Sequence, residues 1–223
     1  MSEERFTEEL WRSIGPVYEA ILKHPFVTGL ADGTLDEKAF RFYVVQDAHY
    51  LRDYARALSI CSARAPLEDD ILMFARHAAG AIEVERSLHE SFFADFGLSE
   101  EDVAAETIAP TTLAYTSYLL ATAYGGDFPD ALAAVLPCYW IYWEVGKELL
   151  ESRPPNPLYR RWIDTYGGDE FGDIVAEVLD LTDSVGASAS KAQRDRMRSH
   201  FLTTSRYEWM FWNMGYVQEQ WPL

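Results

Sequence analysis

The feature that most limits what this chain can become is an apolar periodicity running from Ala39 towards Ala63, at the three- and four-residue spacing of one helix face. Thr34-Leu35-Asp36-Glu37 precedes it in the form of a capping box, and Asp32-Gly33 is a turn signal before that. The spacing predicts a helix of about 28 residues, which is long for a small soluble domain. Further helices follow by the same signals. Pro66 suits the first turn of a third helix that runs to about Asp95 and stops near Gly97, and Pro110-Thr111 opens a fourth. Gly125-Gly126 breaks the chain, and Asp127 can cap a fifth helix extending to about Leu150. Arg153-Pro-Pro-Asn-Pro157 ends it, because proline cannot continue a helix. A short helix to Tyr166, a break at Gly167-Gly168, a helix to about Val185 and a last one opened by Ser190-Lys-Ala-Gln193 complete the chain. The expected fold class is all-α, a bundle of seven or eight helices forming one domain over residues 1–223.

Composition narrows the function. With 36 acidic against 19 basic residues, the formal charge of -17 repels phosphate backbones and anionic lipid, so neither nucleic acid nor membrane is an expected partner. The longest uncharged apolar stretch, Ala131 to Trp143, falls short of the roughly 20 residues that span a bilayer. Met-Ser-Glu-Glu-Arg at the start is acidic where a secretion signal is basic and then apolar, so a cytoplasmic location is expected. Two cysteines, Cys61 and Cys138, are too few for a disulfide framework or a four-thiolate zinc site.

The chemistry-bearing residues fall on identifiable helix faces. Tyr43, Asp47, Tyr50 and Tyr54 share one face of the long helix, with Gln46 or His49 at its margins. The aspartate there serves either as a structural partner of tyrosine hydroxyls or as a site group. Cys138 follows Pro137 inside Leu136-Pro-Cys-Tyr-Trp140, where the missing backbone donor predicts a kink. Tyr142 is one turn on, about 40° round the axis, and points the same way. Glu208 lies among aromatics in Tyr207-Glu-Trp-Met-Phe-Trp212. It is either a boundary carboxylate reaching solvent or, held against aromatic surface, a general acid with a raised pKa. His77, Glu85 and His89 lack the doubled Glu-x-x-His of a di-iron site, so no metal is expected. His24 and His49 read as structural rather than haem ligands, and Cys61 reads as packing.

Seven segments in order resemble the TenA family, also called thiaminase II or aminopyrimidine aminohydrolase: His24 to Gly29, Asp32 to Leu35, Phe40 to Asp47, Ala114 to Ser117, Leu136 to Trp140, Tyr166 to Asp169 and Tyr207 to Trp212. The resemblance covers almost the whole chain and points to the cysteine-containing branch. It implies a haem-oxygenase-like helical bundle, usually a homotetramer, with no cofactor. It also implies hydrolysis of an aminopyrimidine, such as 4-amino-5-aminomethyl-2-methylpyrimidine, or of thiamin, in thiamin salvage. Cys138 matches the nucleophile and Glu208 the proton donor and acceptor. Asp47 matches the carboxylate that binds the pyrimidine nitrogens, and Tyr50 and Tyr115 the hydroxyls beside the thiol. Tyr142 and Tyr166 match pyrimidine-lining residues, with Phe211 and Tyr43 in support. Two other classes stay open: an oxygenase on the same fold, and a non-catalytic regulatory protein.

Overall fold

In a computed structural model of the protein, which describes residues 4–223 with the side chains of 84–90 and 100 excepted, the chain is all-α as its periodicity predicts. No strand occurs among the described residues, and eleven helices are present there rather than seven or eight. The excess lies in short elements. The N-terminal stretch forms three, α1 (Phe6–Ser13), α2 (Gly15–Leu22) and α3 (Pro25–Asp32), with Pro16 and Pro25 in first turns where a missing N–H leaves no helical bond unmade. A further short helix, α6 (Glu100–Ala105), is opened by a capping box between Ser99 and Asp102.

The long helix is α4 (Glu37–Arg64), 28 residues, but its cap differs from the predicted one. Asp36 Oδ1 accepts from the Lys38 N–H at 2.8 Å. Thr34 is already engaged, donating its hydroxyl and N–H to Asp32 Oδ1 at 2.6 and 2.9 Å. Gly33, at φ 81°, ends α3 in the left-handed conformation, so Thr34 belongs to the turn and the helix starts two residues later. Pro66 likewise precedes its helix: α5 (Glu68–Phe96) is capped at Leu67 and ends at Gly97, φ 66°.

The remaining helices follow their punctuation: α7 (Pro110–Gly125), α8 (Phe128–Leu149), α9 (Pro157–Gly167), α10 (Asp169–Ser188) and α11 (Lys191–Val217). Asp127 with Asp130, and Ser190 with Gln193, form capping boxes at α8 and α11. The helix continues through Pro137.

Helices α4 and α8 occupy the centre. α4 packs on α5, α7, α8 and α11, and α8 on α4, α7, α9, α10 and α11. The core between them is aromatic. Tyr43, Tyr115, Trp162, Phe211 and Trp212 are each at most 1% exposed, and full burial of such side chains contributes about 1.5–3 kcal/mol apiece. One close approach positions two further tyrosines. A Cβ on Gly146 would lie 2.5 Å from the Gly167 nitrogen, so α8 and α9 meet backbone to backbone there. Their contact sets Tyr142, one turn before Gly146, beside Tyr166, with ring centroids 5.1 Å apart. No helix among the described residues is long and apolar enough to cross a membrane.

Candidate active site

Five helices deliver side chains to one buried cluster. From α4 come Tyr43, Asp47, Tyr50 and Tyr54, all buried, so the predicted face points into the core. Tyr115 comes from α7, Cys138 and Tyr142 from α8, Tyr166 from α9, and Glu208 and Phe211 from α11. The register of α7 is held by Gln46. Its side-chain amide donates to the Thr107 carbonyl at 2.9 Å and accepts from the Ala109 N–H at 2.8 Å, tying the entry of α7 to α4.

The thiol lies among hydroxyls. Cys138 is partly exposed, and Tyr50, Tyr54, Tyr115, Tyr139 and Tyr142 lie near enough that a thiolate there raises each of their pKa values. Tyr50 bridges the ring system, with centroids 4.9 Å from Tyr115 and 5.4 Å from Phe211. On the other flank Tyr43 donates to Tyr142 Oη at 3.2 Å and receives the indole N–H of Trp162 at 3.4 Å. Trp212 stacks on both Tyr43 and Tyr142, at 5.4 and 5.1 Å. Tyr43, Trp212 and Tyr142 thus form a stacked aromatic surface of the kind that takes a planar heterocycle.

Glu208 decides the electrostatics. It is 1% exposed, which overturns the boundary reading and keeps the general-acid one. Tyr115 Oη donates to its Oε1 at 2.5 Å. Burial, opposed by that hydrogen bond and reinforced by the charge of Asp47, pushes its carboxyl up to about 8. The group is therefore protonated near neutral pH and stands ready to donate. Asp47 is close enough to raise both Glu208 and Tyr142, so all nine residues singled out in the sequence converge.

The other candidates are placed elsewhere. His24 caps α3, its Nδ1 accepting from the Phe26 N–H at 3.1 Å. His49 is buried, and burial lowers its pKa. Cys61 is fully buried, and burial pushes its thiol up to about 12, as suits packing. Glu85 and His89 lie outside the described side chains, and no group of three or more His, Cys, Asp or Glu among the described residues could hold a metal.

Sequence reasoning placed Tyr54 on the site face without a role, weighed His77 only as a metal ligand, and gave Tyr139 no role. Tyr54 lies on the predicted face, so its spacing was the available signal. Tyr139 is one residue past Cys138, about 100° round the helix, and nothing in the spacing assigns it to the same site. A groove of about 560 Å³ between α4 and α5, lined by Arg52, Ala55, Ser59, Ala75 and neighbours, contains none of the cluster's side chains.

Comparison with known proteins agrees with this geometry. A profile of the TENA/THI-4/PQQC family matches residues 11–218. The chain is 39% identical to the aminopyrimidine aminohydrolase of Bacillus subtilis over 217 residues, covering 97% of this chain and 92% of that protein. It is 38% identical over 210 residues, 94% of its length, to 28% of the thiamine biosynthesis multifunctional protein ThiED of Corynebacterium efficiens. Among solved structures, a TenA homologue from P. horikoshii OT3 superposes with a TM-score of 0.89 at 30% identity, covering 96% of this chain and 99% of that one. With a full-length sequence match, a full-length structural match and an aromatic site built from the matching motifs, this chain belongs to the TENA/THI-4/PQQC family.

Proposed function

We propose that the chain is a hydrolase that cleaves the C–N bond at the 5-methylene of aminopyrimidines, converting 4-amino-5-aminomethyl-2-methylpyrimidine to the hydroxymethyl pyrimidine and acting also on thiamin, in thiamin salvage. The observation that carries this is the pairing of a partly accessible thiol with a buried carboxyl held protonated near neutral pH, in one aromatic cluster. The family relatives named for aminopyrimidine hydrolysis and thiamine biosynthesis support it.

The chemistry needs both groups. The 5-methylene does not lose its amine readily, because the ring must supply the electrons. Addition of the Cys138 thiolate to the adjacent ring carbon forms a C–S bond and an enamine-like ring that expels the amine, and Glu208 protonates the amine as it leaves. Water then adds to the exocyclic carbon while Glu208 takes its proton. The C–S bond breaks last and the thiolate departs. Asp47 accepts hydrogen bonds from the pyrimidine's amino and ring nitrogens, Tyr142 and Tyr166 cover the ring, and Tyr50 and Tyr115 hydroxyls surround the thiol. Phe211 and Tyr43 back these rings. The functional unit is a homotetramer in the cytoplasm, and the partner is a small pyrimidine.

Turnover and intact mass of Cys138→Ser and Glu208→Gln test the roles. Both variants are expected to bind the pyrimidine and to lose turnover, with no covalent adduct in Cys138→Ser. Full activity in Cys138→Ser would sink the nucleophile assignment.

A further inference from the structure

Tyr115 meets Glu208 at 2.5 Å, and a hydrogen bond that short is sensitive to small movements of α7. The start of α7 is poorly equipped to hold itself still. Its N-cap is Ala109, which has no side-chain acceptor, and Pro110 at the first helical position brings no N–H. Gln46 ties down Thr107 and Ala109, both ahead of that proline. The first amide inside the helix is that of Thr111, a buried residue one turn before Tyr115, and its N–H needs a partner from elsewhere in the protein.

That partner comes from the end of the chain. Glu219 Oε2 accepts from the Thr111 N–H at 2.8 Å, and the Trp221 indole N–H donates to the Ile108 carbonyl at 2.9 Å. The path of the tail is built to reach them. Gln218 ends α11 at φ 50°, a left-handed conformation that is costly for a residue with a Cβ, and the Glu219 N–H returns to the Met214 carbonyl at 3.0 Å. This reversal turns Glu219 off α11 and onto α7, where its carboxylate also faces the positive end of the α7 dipole. The last turn of α11 is itself pressed against the site, since a Cβ on Gly215 would lie 2.9 Å from Tyr43 Cβ. Helix α11 and its tail therefore grip α7 twice, through Glu208 at Tyr115 and through Glu219 at Thr111.

We propose that the C-terminal tail, through Glu219 and Trp221, caps α7 from outside and thereby holds the Tyr115 hydroxyl on Glu208. Both tail residues act through α7 and are positioning residues. With their bonds made, the first turn of α7 is kept from unwinding, and Tyr115, about 6 Å further along the axis, keeps its place. The groups that face Glu208 are Tyr115 from α7, Asp47 and Tyr50 from α4 and Tyr142 from α8. Of these, the Tyr115 hydrogen bond opposes the effect of burial, so a Tyr115 that drifts away lets the carboxyl keep its proton to higher pH. The tail thus leaves a signature at the site that a loss of stability alone does not produce.

For turnover this inference rests on Glu208 being the proton donor of the proposed reaction, so the test also reads the carboxyl directly. The infrared band of the protonated Glu208 carboxyl, assigned by its loss in Glu208→Gln, is followed against pH together with kcat and KM. Glu219→Ala is expected to raise the midpoint of that band by about half a pH unit and to lower kcat by about threefold with KM unchanged. Glu219→Gln keeps an oxygen that accepts from Thr111 and is expected to retain the wild-type midpoint. A midpoint displaced there as far as in Glu219→Ala overturns capping as the cause. In a Tyr115→Phe background Glu219→Ala is expected to add no further shift, because the hydroxyl that it positions is gone. An added shift of full size marks general loosening and overturns the inference. Trp221→Phe removes the neighbouring bond at a half-exposed side chain, and a smaller shift in the same direction is expected. A wild-type midpoint in either Glu219→Ala or Trp221→Phe overturns the role of the tail. If Glu208→Gln keeps full turnover while Glu219→Ala still moves the band, the proton-donor reading falls and the positioning stands.

Discussion

Two carboxylates on this protein are almost equally buried and are treated in opposite ways. Asp130, in the first turn of α8, is 5% exposed and receives Arg196 Nε at 3.1 and 3.2 Å, while the same guanidinium reaches Asp127 at 2.7 Å. Glu208 is 1% exposed, and the partners around it are the Tyr115 hydroxyl and the charge of Asp47, neither of them cationic. At the rim the fold neutralises a buried charge with arginine, as it does again where Arg194 and Arg198 meet Glu9. In the centre it leaves the carboxyl without a cation among the described residues and keeps it protonated. Burial alone therefore does not mark a functional acid. Burial without a compensating charge is what sets Glu208 apart, because the folded structure then holds its proton.

The sharpest way to break this contrast is Glu208→Gln. It removes the proposed proton donor and is expected to lower kcat by about 10²–10⁴-fold, measured by amine release. It should also stabilise the fold at high pH. The unfolded glutamate releases its proton near the ordinary 4.5 while the folded one holds it to about 8. Over that window the native state binds the extra proton, so stability present below pH 4.5 is lost as pH rises through 8. The glutamine variant lacks that slope. Urea midpoints at pH 5 and pH 8.5 should show it gaining on the wild type by on the order of 3–5 kcal/mol. Equal midpoints at both values would mean that Glu208 is not held protonated.

Arg196→Met makes the opposite change at the rim. It leaves Asp130 buried without its cation and is expected to destabilise by about 1–3 kcal/mol, discounted because the arginine is itself half exposed. The pH profile of turnover should stay as in the wild type, and a shifted profile would tie the two regions together. Tyr115→Phe has the smallest expected effect. Its hydroxyl works against the burial of Glu208, so removing it lets the carboxyl titrate higher. The basic limb of the kcat profile should move up by about one pH unit or less.

The residues differ in how legible they were. Tyr43, Asp47, Tyr50 and Tyr54 could be grouped from α4 alone, because helical spacing fixes which side chains share a face. Cys138 and Tyr142 pair by the same rule. Glu208 could not be resolved that way. Its own helix permits either a solvent-reaching or a sealed carboxylate, and the packing of α4 and α7 over α11 settled it. His77 was weighed in sequence only as a metal ligand, since its partners Tyr139 and Glu177 come from other helices. The cap of α4 was misplaced because Thr34 and Asp36 both suit a helix start, and the Gly33 turn engages the first of them.

By itself the sequence determined that this chain is helical, where most of its long helices begin and end, and which faces carry tyrosine, thiol and carboxylate, because these follow from local backbone chemistry and the helical period. Tertiary structure alone decided that five helices bring those faces to one place and that Glu208 is sealed there with no cation beside it among the described residues. Those properties depend on distances between segments far apart in the chain, and on how completely packing removes water from between them.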